Sequence, residues 1–241
     1  TPYVSPAVTA FGPFLTSSVY DPAVNGASAY LASGDSDYLQ MPAQTIPTGS
    51  YTLEGWYYLT GTSTNQSIIS QGSSGNSKRT FFGIENGVLT FQMGGTTETG
   101  PNPPKNSWNH FACVYNSSYP FIQAWHNGVS TGATGQNNSD AENVAMQIGT
   151  LGSNWGSGFG VTGYVSDIRV SSGIKYTANN ITVPTSPLAV EDSNTKLLLN
   201  MADGQAIDSA AQNNLTLYGN AKISTGQAKF GNTSLYLDGS D

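Results

Sequence analysis

The chain has 241 residues, of which only 10% are charged, and its formal net charge is −7 with eight basic residues. This length suits one large all-β domain or two small ones and is sufficient to bury a hydrophobic core. A protein that binds DNA or RNA needs clustered lysine and arginine to displace counterions. The adjacent basic pair Lys78 and Arg79 forms no such cluster, so the composition argues against a nucleic-acid partner.

Cys113 is the single cysteine, so no disulfide can form within the chain. It lies in the apolar run WNHFACVY, which predicts a small buried side chain. No apolar run reaches membrane-spanning length and no signal-peptide pattern is present, so we expect no membrane insertion. A surface poor in charge and rich in hydroxyl and amide groups, without disulfides, is typical of virion fibres and adhesins. We therefore expect an extracellular location, at the surface of a virion or of a bacterial cell.

The predicted elements, taken in chain order, are all strands. Tyr51–Thr60 alternates two faces that both carry aromatic residues, which predicts that both faces are covered. Hairpins follow over Thr80–Met93 and Phe121–Thr131, each with an Asn-Gly pair that suits the positive φ angles of a tight turn. Further strands are predicted at 108–115, 144–149, 163–170 and 196–201. Three tryptophans fall inside predicted strands and are expected in the core: Trp56, Trp108 and Trp125.

Five segments, in this order, resemble the laminin-G-like jelly roll of the concanavalin-A-like superfamily, in the form found in phage tail, other virion and bacterial surface proteins. They are SAYLASGDSDYLQMP, GSYTLEGWYYLT, SWNHFACVY, IQAWHNGV and the closing MQIGTL…GVTGYVSDIRVSSGIKYTANNITVPTSPL. The resemblance covers about residues 25–188. Many short strands bounded by Gly, Pro, Ser or Asn favour the same fold class. We predict an all-β, antiparallel two-sheet sandwich, a concanavalin-A-like jelly roll.

The chain ends on an octapeptide that resembles one near its start. SLYLDGSD (Ser234–Asp241) and SAYLASGD (Ser28–Asp35) agree at Ser, Tyr, Leu and the closing Asp. The stretch that begins TKLLLNMADG resembles the start of a second laminin-G-like unit. We therefore expect residues 1–190 to form a jelly roll. Residues 191–241 are expected either to begin a second repeat of a tandem array or to supply strands that complete the first sandwich or exchange with a neighbour. Neighbouring copies or repeats of the same protein are thus expected partners.

The superfamily that the sequence resembles includes glycosidases, so a catalytic role must be considered. Hydrolysis of a glycosidic bond needs two carboxylates about 5–10 Å apart. The glucanases of this superfamily carry them on one strand in the pattern Glu-x-Asp-x-x-Glu, so the resemblance implies the same pattern in a catalytic member. Glu54 stands alone on its strand, and Glu85 and Glu98 are isolated. The family positions that His110 and His126 match are structural, so the resemblance implies no catalytic role for either. We therefore expect no enzymatic activity.

Two acidic residues in SGDSD, Asp35 and Asp37, lie close together on a predicted turn. Some laminin-G-like and pentraxin domains hold Ca²⁺ at a loop rim, so the resemblance makes these residues candidate Ca²⁺ ligands. Calcium needs six to eight oxygen ligands, and an acidic turn can instead be solvated or cap its own backbone. For Asp167 we expect an ion pair with Arg169 or a hydrogen bond to a neighbouring loop rather than a metal.

The glycine- and serine-rich loop GSNWGSGFG (Gly152–Gly160) carries Trp155 and Phe159. Large aromatic side chains on such a loop mark a recognition surface, and Asn154 can add amide hydrogen bonds. We predict a non-catalytic adhesion module that binds a cell-surface glycan or receptor through Trp155, Asn154 and Phe159. The alternative is that Trp155 packs back onto the sandwich. In that case the domain is a purely structural virion or fibre decoration or spacer that mediates assembly.

Overall fold

A computed structural model describes residues 29–31, 37–43, 45–72, 79–93, 96–117, 121–135, 143–151, 159–199, 216–217, 222–224 and 234–236. Within these ranges there is no helix long and apolar enough to cross a membrane. The described residues form sixteen strands: β1 (Ala29–Leu31), β2 (Leu39–Ala43), β3 (Tyr51–Leu59), β4 (Gln66–Gln71), β5 (Thr80–Glu85), β6 (Val88–Met93), β7 (Thr96–Gly100), β8 (Asn109–Asn116), β9 (Phe121–His126), β10 (Val129–Gly135), β11 (Ala145–Ile148), β12 (Gly163–Ser172), β13 (Thr195–Leu199), β14 (Thr216–Leu217), β15 (Lys222–Ser224) and β16 (Ser234–Tyr236).

The strands form two sheets. The nine-stranded sheet has the order β10-β9-β8-β3-β12-β1-β16-β15, with β13 also paired to β12, and the seven-stranded sheet has the order β14-β2-β11-β4-β5-β6-β7. Every described pair is antiparallel except β1 with β16, which is parallel. The predicted antiparallel jelly-roll sandwich is confirmed. The predicted strands between Tyr51 and Val170 are also confirmed, with boundaries that shift by one or two residues, except that β10 extends to Gly135 rather than Thr131.

The main core lies between the two sheets and is rich in aromatic rings. Phe82 of the seven-stranded sheet stacks on Phe111 of the other sheet, with ring centroids 4.0 Å apart. Phe91 stacks on Phe82 at 4.9 Å, and Tyr57 meets Phe82 edge-on at 5.4 Å. Cys113 belongs to this core and is 1% exposed, as predicted. Burial raises the pKa of its thiol, which suits a packing role rather than a reactive one.

Both predicted Asn-Gly turns adopt left-handed backbone conformations. The φ angles are 53° and 80° for residues 86–87 and 48° and 82° for residues 127–128, as expected for two-residue hairpin turns. In the second hairpin, Asn127 also accepts a hydrogen bond from the backbone N–H of His110 at 2.8 Å and donates one to Asn109 at 3.0 Å. Its side chain therefore ties the turn to β8.

Residues 173–194 connect β12 to β13 and cover part of the outer face of the nine-stranded sheet; we call them the covering segment. Trp125, fully buried on this face, donates its indole N–H to the carbonyl of Ala178 at 2.9 Å. The Asp167 carboxylate accepts the backbone N–H of Leu188 at 2.7 Å, so the expected hydrogen bond to a neighbouring loop is confirmed. The covering segment is thus fixed to the sheet by side chains of both β9 and β12.

A network of charged groups fixes the same segment. Arg169 donates to Glu54 Oε1 at 2.6 and 2.8 Å, and both side chains are almost fully buried. Tyr176 donates its hydroxyl to Glu54 Oε2 at 2.7 Å. Arg169 also contacts Glu191 at 2.6 Å, and Lys175 pairs with the same carboxylate. Burial, then the charge of Glu54, raises the pKa of Tyr176. These contacts between the covering segment and the sheet therefore occupy this part of the outer face of the nine-stranded sheet.

The described strands beyond residue 190 pair with the same two sheets. β13 lies on the edge of β12 at Ile168–Ser171, and β1 occupies the same edge at Gly163–Val165. β14 pairs with β2, and β16 pairs with β1. The division into residues 1–190 and 191–241 stays a prediction, because strand pairing within the chain does not define where a repeat begins.

Candidate ligand-binding site

The structure describes two of the five residues that the sequence nominated for binding. Phe159 is half-buried, and Asp37 is 5% exposed. Trp155, Asn154 and Asp35 lie outside the described residues. The ligand-binding roles of Trp155, Asn154 and Phe159 therefore stay predictions, but the position of Phe159 locates one end of their loop.

Both flanks of this loop are tied to β4. The backbone N–H of Ser67 donates to the carbonyl of Phe159 at 2.8 Å. The hydroxyl of Ser70 donates to the carbonyl of Thr150 at 2.9 Å. The Phe159 ring meets the edge of the Phe81 ring, with centroids 6.3 Å apart and an interplanar angle of 85°. Phe81 belongs to β5, so the loop that carries the predicted residues begins and ends beside β4 and β5.

The outer face of the seven-stranded sheet carries a row of side chains that crosses six neighbouring strands. Phe82 and Phe91, which are paired across β5 and β6, point into the core. Their sequence neighbours therefore point outward, because successive side chains in a strand face opposite sides. The strand registers place six outward residues side by side, and we call them the polar row: Gln40, Gln147, Ser70, Phe81, Gln92 and Thr97.

The polar row is only partly satisfied by its own hydrogen bonds. Gln147 donates to Gln40 at 3.3 Å, and Gln92 donates to Thr97 at 3.1 Å. Gln147 Oε1 and the hydroxyl of nearby Ser67 are buried without a hydrogen-bond partner. Leaving a buried polar atom unpaired costs about 1–3 kcal/mol, so such atoms call for a ligand or an ordered water. The middle of the row is buried, whereas Thr97 at its β7 end is exposed.

The chemistry of the polar row suits an uncharged polyhydroxyl ligand. Amide and hydroxyl groups both donate and accept hydrogen bonds, as sugar hydroxyls do. The buried ring of Phe81 and the half-buried ring of Phe159 lie next to these groups, and small-molecule sites combine apolar rings with a few polar groups. None of the six row residues is a carboxylic acid, so the row lacks the acid and base that glycoside hydrolysis requires.

Sequence reasoning missed the polar row. A weak signal is present, since Gln40, Ser70, Gln92 and Gln147 each stand next to apolar residues in short strands. That alternation predicts which residues share a face of their own strand. It cannot predict that residues as far apart in sequence as 40 and 147 become neighbours, because this depends on non-local strand pairing.

Three aromatic side chains form a second candidate surface on the nine-stranded sheet. Tyr58, Trp108 and Tyr164 are half-buried, and Tyr58 meets Trp108 and Tyr164 edge-on at 5.6 and 5.7 Å. The prediction that Trp108 lies in a strand within the core was wrong, because the residue precedes β8 and keeps part of its surface in solvent. Trp56 and Trp125 are buried as predicted, at 8% and 0% exposure.

Two buried titratable side chains lie apart from the polar row. His110, on β8, packs against Trp56 with ring centroids 5.2 Å apart, and neither ring nitrogen has a hydrogen-bond partner. Burial, with the nearby charge of Arg169, lowers the pKa of His110 to about 3. Glu98, opposite Phe91 on β7, has a buried and unpaired Oε1, and burial raises the pKa of its carboxyl. Neither group belongs to the polar row, and we do not include them in the candidate site.

A shallow cleft opens between residues 60–66 and 101–105. Its lining includes the side chains of Thr62, Thr64, Asn102 and Lys105, and its volume is about 90 Å³. Sites for small molecules have volumes of roughly 300–1,000 Å³. The cleft is therefore too small to be the main candidate site.

Only one of the two predicted calcium ligands lies within the described residues. Asp37 is present but buried, and Asp35 lies outside the described part. Within the described residues, no three His, Cys, Asp or Glu side chains come together as a metal site would require. Calcium binding at Asp35 and Asp37 stays a prediction.

The fold and its polar outer face define a lectin-like antiparallel sandwich. A family model described as the concanavalin A-like lectin/glucanases superfamily, in its laminin-G-like form, matches residues 33–182. The match spans more than half of the chain, so the protein belongs to this superfamily and the laminin-G-like resemblance is confirmed.

Two solved structures illustrate the similarity of the fold. A putative carbohydrate-binding protein from Bacteroides ovatus has a TM-score of 0.59 and 19% identity over 89% of this chain and 59% of its own length. A heptameric SAP-like pentraxin from Limulus polyphemus has a TM-score of 0.51 and 14% identity over 80% of this chain and 92% of its own. No curated protein sequence matches the chain. At these identities the similarity concerns the fold alone.

Proposed function

We propose that this protein is a non-catalytic carbohydrate-binding module whose ligand lies on the outer face of the seven-stranded sheet. The observation that carries the proposal is the polar row with its unpaired, buried Gln147 Oε1. The loop with the predicted contacts Trp155 and Asn154 starts and ends beside this row, next to Phe159 and Phe81. One glycan can thus contact the row and the loop together.

Two observations support a binding role over a catalytic one. The polar row contains amides, hydroxyls and one aromatic ring but no carboxylic acid. The Bacteroides ovatus protein of similar fold is described as a carbohydrate-binding protein. Because one fold hosts many functions, that likeness supports the proposal only together with the row.

The proposed setting is extracellular, at the surface of a virion or a bacterial cell, with a cell-surface glycan or receptor as the partner. Its support is compositional. Only 10% of the residues are charged and no disulfide is possible within the chain, as in many fibre and adhesin domains. Calcium binding at Asp35 and Asp37 is tested in the same experiment, which compares binding with and without calcium.

The experiment is a screen of the 241-residue chain against an array of microbial and host glycans, in calcium and then in chelator. We expect saturable binding that Trp155→Ala abolishes and Trp108→Ala preserves. Loss of binding in chelator would assign calcium to the site. If Trp108→Ala abolishes binding and Trp155→Ala does not, the ligand lies on the nine-stranded sheet at Tyr58 and Tyr164, and the proposed site is wrong.

A structural role in assembly is the second candidate function. It is favoured by the repeated octapeptide, whose two copies pair with each other in β1 and β16. Under this function the domain decorates or spaces a fibre through contacts with neighbouring copies or repeats. A blank glycan array from a folded, monodisperse sample would favour this role over binding.

A further inference from the structure

β7 lies at a place where the two sheets close on each other. It is the last strand in the order of the seven-stranded sheet, and β10 is the last strand of the nine-stranded sheet. The two strands pack closely, since a Cβ atom at Gly100 of β7 would lie 2.9 Å from Thr131 Cγ2 of β10. Among the described strands, β7 forms backbone pairs only with β6. A strand held along one edge opens more readily than a central strand.

Glu98 points from β7 into the space between the sheets. It lies directly opposite Phe91 of β6, which belongs to the main core, and opposite residues of an antiparallel pair share one face. The Glu98 side chain is 9% exposed, and its Oε1 is buried without a hydrogen-bond partner. Holding a charged carboxylate in such a position is unfavourable unless it is paired.

The carboxyl group of Glu98 fills a space that a glycine leaves open on β10. A Cβ atom at Gly132 would lie only 2.5 Å from Glu98 Oε2. Gly132 pairs with Ala124 of β9, and Ala124 pairs with Cys113 of β8. Ala124 and Cys113 both belong to the main core. The row of residues that begins at Gly132 is therefore small and offers the carboxylate no positive charge.

The strands in contact with β7 do not supply a positive charge either. β6 and β10 contain no titratable side chain, and His126 is the one titratable residue of β9. Burial lowers the pKa of His126, which favours its uncharged form. Burial also raises the pKa of the Glu98 carboxyl. The closed position of β7 thus favours a protonated Glu98.

We propose that Glu98 makes the attachment of β7 depend on pH. While the carboxyl group is protonated, β7 stays closed against β10. When the group ionises, β7 opens more often, because the open strand carries the carboxylate into water.

The direction of the effect follows from the two positions of the carboxyl group. In the open form it has its ordinary pKa of 4.5, and in the closed form this value is raised. Opening therefore releases a proton between pH 4.5 and the raised value. Across this window the opening equilibrium constant of β7 rises by about tenfold per pH unit, and above the window it stays constant.

The same strand carries one end of the polar row on its other side. Thr97 accepts a hydrogen bond from Gln92 of β6 at 3.1 Å and is exposed. An opening of β7 would remove Thr97 from the row and free the Gln92 amide. This consequence for the ligand rests on the proposed function, whereas the opening of β7 does not.

The test is amide hydrogen exchange of the full chain, followed by NMR at pH 4.5 and pH 8 without any glycan. Protection factors, which correct for the intrinsic pH dependence of exchange, give the opening constant of each strand. We expect the opening constant of β7 to rise about tenfold or more between the two pH values. The constant of β8 should fall over the same range, because the lowered pKa of His110 makes the whole fold more stable as the pH rises.

Two variants assign the rise to the carboxyl group. Glu98→Gln keeps the shape of the side chain without its ionisation, so the opening constant of β7 should become independent of pH. Glu85→Gln, at the end of β5, removes a different carboxyl group and should leave the rise intact. The proposal is overturned if β7 of the unaltered chain shows no rise, or if the rise persists in Glu98→Gln. Since no glycan is present, either result leaves the proposed binding function untouched.

Discussion

At the scale of single residues, the buried pair of Arg169 and Glu54 holds opposite charges out of water. Their side chains are 4% and 1% exposed, and removing one partner of such a pair leaves an uncompensated charge that costs about 3–5 kcal/mol. We predict this loss in the free energy of unfolding for Arg169→Met, measured by denaturant titration. Replacing both residues, Arg169→Met with Glu54→Leu, is expected to cost less than Arg169→Met alone.

Lys175 provides the matched control for this pair. It contacts Glu191, whose side chain is 46% exposed, and exposed ion pairs contribute about 0–1 kcal/mol. Lys175→Met should therefore lower the free energy of unfolding by less than about 1 kcal/mol. Equal losses for Arg169→Met and Lys175→Met would contradict the expectation that the buried pair contributes more to stability than the exposed one.

The buried His110 makes stability depend on pH. Its folded-state pKa is lowered from 6.5 to about 3, so between these values the unfolded chain binds a proton that the folded chain does not. The contribution is complete above about pH 6.5 and is lost as the pH falls toward 3, by about 1.4 kcal/mol per unit. His110→Leu should flatten the pH dependence of the free energy of unfolding between pH 7 and 5. An unchanged slope would show that His110 is not the cause.

At the scale of elements, the two tight hairpins form a matched pair. Asn86 and Asn127 both have a φ near +50°, so alanine suffers the same backbone strain at each position. Only Asn127 uses its side chain to bond β8, through His110 and Asn109. We predict that Asn127→Ala lowers the free energy of unfolding by about 1–3 kcal/mol more than Asn86→Ala, because two hydrogen bonds are lost. Equal losses in the free energy of unfolding for Asn86→Ala and Asn127→Ala would show that the side-chain hydrogen bonds of Asn127 do not add to stability.

The elements also show what sequence patterns can and cannot predict. The alternation in YTLEGWYYLT predicted β3 and the coverage of both its faces, since both properties are local to the strand. The Asn-Gly pairs predicted both turns for the same reason. The sequence does not predict which residues cover the outer face of β3. Tyr176 reaches Glu54 because the covering segment, far away in sequence, folds over this face. The polar row escaped prediction because its order follows from the pairing of six strands.

At the scale of the whole molecule, the two outer faces of the sandwich differ. The covering segment occupies part of the nine-stranded face, where it packs over Trp125 and the pair of Arg169 and Glu54. The seven-stranded face carries uncharged amides and hydroxyls that are buried in the middle of the polar row, with unpaired atoms at Gln147 and Ser67. For this reason we propose that the ligand binds the second face.

The most direct measurement is a calorimetric titration with the glycan that gives the strongest array signal. Gln147→Ala removes a member of the polar row, and Gln123→Ala removes an equally buried glutamine from the nine-stranded sheet. A hydrogen bond to a buried amide contributes about 0.5–1.5 kcal/mol, so Gln147→Ala should weaken binding by about 2- to 13-fold. Gln123→Ala should bind as the unaltered chain does. Equal affinities for both variants, or no saturable binding by the unaltered chain, would contradict the account.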